Sequence, residues 1–225
     1  MRFARCLSFR SWAKPGSAGR SESTPARGLT GSHYCGGPRP FLDSTVPHIA
    51  LPTDLPGISS AMAFRPETAV HLRALAEALL RGPSPLTSQE RESIAAFVSS
   101  RNDCTFCYLS HRAAAAHHDG GDYTFVDAVT KGRGDERISP KLRALLVIAG
   151  KVQQGGKLVT AEDVGAARAE GATDVEIHDA VLIAAAFCMY NRYVDGLATF
   201  TPTDPGAYDP MGKRMATQGY VAARS

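Results

Sequence analysis

Cys104-Thr105-Phe106-Cys107-Tyr108-Leu109-Ser110-His111 is the stretch on which the reading of this chain turns. It holds two of the five cysteines, and a histidine follows four positions after the second. Steps of three and four residues keep all three side chains on one face of a helix, one turn above the next. A thiol pair beside an imidazole is equipment for redox chemistry or for metal binding.

Asp103 directly precedes Cys104, which puts Cys104 in the first turn of its helix. There the positive end of the helix dipole favours a thiolate. Cys107 stands one turn before His111, within reach of a hydrogen bond to the imidazole, direct or through one water. A free thiol with a pKa near ~8.5 is only a few per cent ionised at neutral pH, and a drop to about 7 makes it half ionised. The helix terminus argues for Cys104 as the nucleophile and His111 argues for Cys107, so the order of attack stays open at this level. A histidine base works better with a carboxylate behind it. The nearest in sequence are Asp103, Glu90, Glu92 and Asp119. Glu90 already belongs to a helix cap, whereas Glu92 lies close to the apolar face of Ile94 and Phe97, where a carboxylate needs a partner. Glu92 is therefore the preferred candidate. The rival reading is a zinc-binding or redox-sensing module with little turnover, zinc being held by Cys104, Cys107, His111 and Glu92 at tetrahedral geometry.

Outward from this stretch nearly every segment carries helical period and punctuation. Pro66 suits a first helical position, and Leu72, Leu75, Leu79 and Leu80 follow until Gly82-Pro83. Thr87 and Glu90 form a capping box, and Asn102-Asp103 breaks the helix it opens. The cysteine helix is expected from about Asp103 to His118. Asp122 caps a short helix through Val129. Ser139 and Pro140 start the next, Thr160 and Asp163 another that closes at Gly171, and Thr173 with Glu176 the last long one, to Leu197. No segment alternates convincingly as a strand. The fold class is all-α, a bundle of about seven helices. Leu72-Arg73-Ala74-Leu75 recurs as Leu142-Arg143-Ala144-Leu145, each followed by a threonine-capped segment, as an internal duplication would give. Residues 48–64, rich in proline, read as an extended arm against the domain.

The chain of 225 residues is 44% hydrophobic, enough for one core, and its longest apolar run, Val181 to Tyr190, is too short to cross a membrane. Seven of its basic residues fall in positions 1–40 against Glu22 alone, so the net +3 hides a tail of +6 and a remainder of −3. The basic balance thus gives the folded part no case for nucleic acid. Residues 1–45 are expected to be a disordered or targeting-like tail, Arg- and Ser-rich as in organellar transit peptides, and residues 46–225 the domain. Five cysteines in this length do not suggest a secreted disulfide scaffold, so a reducing, cytoplasmic setting is expected, or an organelle if the tail is a transit peptide. Cys188 reads as a small buried hydrophobe, His118 as a residue facing solvent or capping carbonyls, and His71 and His178 as surface or packing residues. Asn191, Arg192 and Asp195 read equally as a local structural group or as part of a site.

Glu92, Cys104, Cys107 and His111 together make the pattern E-x11-C-x-x-C-x3-H. With Leu86-Thr87, Glu90-Arg91-Glu92, Asn102-Asp103, Ser110-His111 and Asn191-Arg192, the chain resembles the AhpD-like, carboxymuconolactone decarboxylase-like superfamily in its peroxidase-related branch, over roughly residues 46–200. The resemblance implies an all-α fold in homo-oligomers, often trimers or hexamers. It implies an alkylhydroperoxidase-type reaction on a small hydroperoxide, with a Cys104–Cys107 redox pair, a Glu92/His111 proton relay, no bound cofactor or metal, and an external thiol reductant. Best-known members carry a histidine just before the second cysteine, where this chain has Phe106, so one relay member would be missing. The decarboxylase members lack the cysteine pair, so lactone decarboxylation is not expected.

Overall fold

The computed structural model describes residues 46–52 and 55–221. The basic tail expected over residues 1–45, its targeting reading, Cys6 and Cys35 all lie outside the described residues.

Among the described residues there are nine α-helices and no strand. They are α1 (Ile58–Phe64), α2 (Pro66–Arg81), α3 (Ser88–Arg101), α4 (Thr105–His117), α5 (Thr124–Lys131), α6 (Pro140–Gln154), α7 (Ala161–Ala169), α8 (Asp174–Gly196) and α9 (Tyr208–Gln218). The all-α reading holds, and the seven expected helices are α2 to α8. Their starts follow the sequence punctuation. Thr87, Ser139, Thr160 and Thr173 each accept a backbone N–H of the first turn, three of them in reciprocal capping boxes with Glu90, Asp163 and Glu176. Each such cap stabilises its helix by about 1 kcal/mol. No helix of the described residues is long and apolar enough to cross a membrane.

Two elements depart from expectation. Residues 58–64 are helical within the supposed extended arm, burying Ser60, Ala61 and Met62. Gly57 before them has no side chain with which to announce a cap. The helix α9 was not expected, because its buried face is Tyr208, Gly212 and Met215 rather than an aliphatic stripe.

At the centre lies α3, buried at every position from Arg91 to Ser99 and packed by α2, α4, α5, α6 and α8. Ile94 and Val98 of α3 join Leu145 and Ile148 of α6 and Ile183 and Phe187 of α8 in the main core. Full burial of one such side chain contributes about 1.5–3 kcal/mol. Arg91 is buried too, but its guanidinium donates to the Leu79 and Gly82 carbonyls and so closes the end of α2. On the other side of α4 a smaller cluster gathers Cys104, Phe106, Cys107, Ala113, Val194 and Tyr208. The two copies of Leu-Arg-Ala-Leu fall on α2 and α6, each a proline-started helix followed by a threonine-capped one.

Candidate active site

A tight corner between α3 and α4 sets the position of the cysteines. Asn102 caps α3 and Asp103 turns left-handed at φ 56°. The Asp103 N–H then reaches the Ser100 carbonyl at 3.3 Å and the Cys104 N–H reaches Ser99 at 3.1 Å. This is a Schellman closure, with aspartate in the place glycine most often fills. Cys104 is consequently the N-cap of α4 rather than a residue of its first turn. Cys107 lies in the helix, and both side chains are buried with no disulfide between them.

Ala113 to Ala116 form a buried run along α4. Small side chains there let α9 come close. A Cβ at Gly212 would lie 2.4 Å from the Ala113 side chain and 2.5 Å from its backbone, so only glycine fits. His117 and Tyr123 both reach Asp209, at 3.0 and 2.9 Å, and fasten the start of α9.

Of the four carboxylates near the motif in sequence, Glu92 is the one that meets His111. Its Oε2 lies 2.7 Å from the imidazole Nδ1, and the Glu92 side chain is wholly buried because α3 is the central helix. Asp103 is exposed on the corner, Asp119 pairs with Arg137, and Glu90 serves its cap. The second Glu92 oxygen accepts the Tyr220 hydroxyl at 2.5 Å. The imidazole meets the edge of Phe187, ring centroids 4.5 Å apart, and stacks on Tyr220 at 6.1 Å and 12°. Tyr220 went unnoticed in the sequence, since it lies 109 positions from His111 and belongs to no motif.

A cavity of about 80 Å³ opens beside this group. Cys107, Ser110, His111 and Tyr220 contribute to its wall, which is otherwise mostly apolar and built from Ile58, Met62, Phe106, Phe187, Met211 and Met215. Arg73 and Arg214 also line it. Cys104 is not part of that wall. No hydrogen bond joins His111 to either thiol. The two share the cavity surface instead.

The Cys104 thiol lies outside that wall, close to Cys107 and Asp195. It is held far above the usual thiol range by its Cys107 neighbour, by burial, and by the nearby Asp195. Burial raises the Asp195 carboxyl, and the neighbouring Cys104 thiol pulls it partly back. The Cys107 neighbour, burial and the Asp195 carboxylate thus oppose the helix dipole at Cys104. Phe106 packs between Gly57 and the Tyr208 ring, 6.0 Å between ring centroids, as an apolar wall where the family pattern has an imidazole.

Other expectations are corrected. His118 does not face solvent: its Nε2 is buried without a hydrogen-bond partner, and burial lowers its pKa. Cys188 is only partly buried and sits in a polar seam, beside Asn102 and the Gln153 carbonyl. Asn191 binds Asn102 at 2.8 Å and Ser99 at 3.0 Å, which ties the end of α3 to α8 as structure. Arg192 donates to the Cys188 carbonyl. His71 and His178 are exposed, as expected. Among the described residues no three His, Cys, Asp or Glu side chains converge on a metal position.

No protein-family model matches the sequence, and no curated protein matches it. Solved structures do. An uncharacterized peroxidase-related protein with an alkylhydroperoxidase AhpD core from Ralstonia eutropha JMP134 is 29% identical, over 71% of this chain and 82% of that one, with a TM-score of 0.62. An uncharacterized peroxidase-related protein from Silicibacter sp. TM1040 is 28% identical, over 68% of this chain and 78% of that one, at 0.58. A candidate AhpD antioxidant-defence protein of unknown function from Agrobacterium tumefaciens, 22% identical over 64% of this chain and 97% of that one at 0.55, shares the fold.

Proposed function

We propose, from the assignment of this chain to the AhpD-like superfamily with its peroxidase-related neighbours, that the protein is a thiol-dependent peroxidase reducing small hydroperoxides through Cys107 and Cys104. One observation carries the order of events: Cys107 borders the cavity together with His111, while Cys104 lies outside its wall, near Asp195.

With its Nδ1 proton held by Glu92, His111 presents Nε2 as the base for the Cys107 thiol, directly or through one water. The thiolate attacks the terminal oxygen of the hydroperoxide. The S–O bond forms, the O–O bond breaks, and the alkoxide leaves as an alcohol with the proton His111 has taken. Cys107 is then a sulfenic acid. Cys104 attacks the Cys107 sulfur, the S–O bond breaks, and hydroxide departs with the Cys104 proton as water. Two electrons pass from the thiols to the peroxide, leaving a Cys104–Cys107 disulfide, and an external dithiol restores both thiols by exchange.

The cavity, about half the ~150 Å³ that accommodates benzene, suits hydrogen peroxide or a short alkyl hydroperoxide. Phe106 supplies no second imidazole, so a modest turnover is expected. The protein is also proposed to act as a homo-oligomer without a bound metal or cofactor. Reductant-dependent consumption of tert-butyl hydroperoxide, with thiols titrated before and after one equivalent of oxidant, tests the reading. Loss of two thiols per chain and sustained turnover support it. Unchanged thiols with no turnover refute it.

A further inference from the structure

We propose that Tyr220 is a positioning residue for the relay, carried to it by a strap that follows α9. The inference rests on the relay reading above and adds a member the motif does not contain.

The strap is built for its place. Arg81 of α2 donates to the Met215 and Ala216 carbonyls at 3.3 and 2.6 Å, which fixes the last turn of α9. Gly219 follows at φ +75°, where a Cβ would lie 2.4 Å from Glu77 Oε2 and 3.0 Å from Arg81. The Tyr220 N–H then donates to that same Glu77 oxygen at 2.6 Å. Two side chains one turn apart on α2 thus aim the tyrosine at Glu92.

A buried phenol needs an acceptor, and that need alone would explain a hydrogen bond. Tyr190, Tyr193 and Tyr208 meet it with backbone carbonyls of Leu72, Ala61 and Pro202. Tyr220 instead takes the free oxygen of the carboxylate that holds His111, and lays its ring parallel to the imidazole. Both Glu92 oxygens are thereby occupied and the imidazole is confined between Tyr220 and Phe187.

A donor to the ionised carboxylate favours its charged form. Burial and Glu92 hold the phenol itself well above its usual range, so it stays a donor at neutral pH. Around this group stand Glu77 and Arg81 of α2, Glu92 and Arg91 of α3, and His111 and His118 of α4, with Arg73 and Arg214 on the cavity wall. Removing the hydroxyl withdraws one donor from Glu92 in a dry site. The carboxylate and the imidazole are then held less firmly against each other, and His111 serves Cys107 less well.

The test is Tyr220→Phe in the full chain, with Cys107 alkylation by iodoacetamide followed against pH by peptide mass spectrometry. The expected result is an upward midpoint shift of about half a pH unit or more, and roughly threefold slower labelling below the midpoint. Glu77→Gln, which slackens the strap and leaves every relay group in place, is expected to shift the midpoint the same way by less. It carries the test should Tyr220→Phe fail to fold. His111→Ala is the control. A shift in His111→Ala with none in a folded Tyr220→Phe or Glu77→Gln protein overturns the role of Tyr220 alone. No shift in His111→Ala overturns the relay and this inference together. Because labelling requires no peroxide, a wild-type protein without peroxidase turnover still reports on Tyr220.

Discussion

Cys104 and Cys107 are one helical turn apart in one cluster, yet only one of them borders the cavity. Around Cys107 the protein supplies a cavity and an imidazole backed by a carboxylate. Around Cys104 it supplies a closed corner and a neighbouring acid, outside the wall of that cavity. The contrast teaches that the spacing of a C-x-x-C pair says nothing about which thiol is primed. In the proposed mechanism that choice falls to what α3, α8 and α9 bring to α4.

The largest effect expected from breaking this contrast is at the thiols. Cys107→Ser should lower steady-state peroxide consumption by roughly a thousandfold or more, since nothing else in the cavity is a comparable nucleophile. Cys104→Ser should still react once and stop as a sulfenic acid, trapped by dimedone on Cys107. Next is Glu92→Gln, which keeps the shape but removes the charge behind His111, for a loss of roughly a hundredfold in turnover. Glu92→Ala should also cost about 1–3 kcal/mol in urea unfolding, because Tyr220 and His111 lose a buried partner.

A mechanical change comes third. Gly212→Ala should push α9 from Ala113 and destabilise the fold by about 1–3 kcal/mol, read as a lower Tm, with slower Cys107 labelling as the cavity wall shifts. The smallest effect is expected at Asp195→Asn. The Asp195 carboxyl is raised in the folded state, so its stabilising contribution is complete below the unfolded carboxyl range and is lost as pH rises through the folded value. The asparagine variant should therefore gain Tm relative to wild type at pH 7 but not at pH 4, and its Cys104 should ionise at lower pH.

The legible parts of the molecule were those written locally. Capping boxes at Thr87, Thr160 and Thr173 and the proline starts at Pro66 and Pro140 fix helices with neighbouring residues alone. Glu92 was legible because a carboxylate near an apolar face must find a partner. By contrast α9 was hidden: it packs by close approach of Gly212 to α4, and closeness leaves no hydrophobic period. Tyr220 was hidden because its place is set by Glu77 and Arg81, far away in sequence. The surroundings of Cys104 were hidden because Asp195, 91 positions on, comes beside it only in the fold.

The most direct test of the central claim is competitive labelling of the reduced wild-type protein at pH 7 with limiting iodoacetamide, the two cysteines resolved by mass spectrometry. Labelling of Cys107 at least tenfold ahead of Cys104 is the expected result. Equal labelling, or Cys104 first, would contradict it.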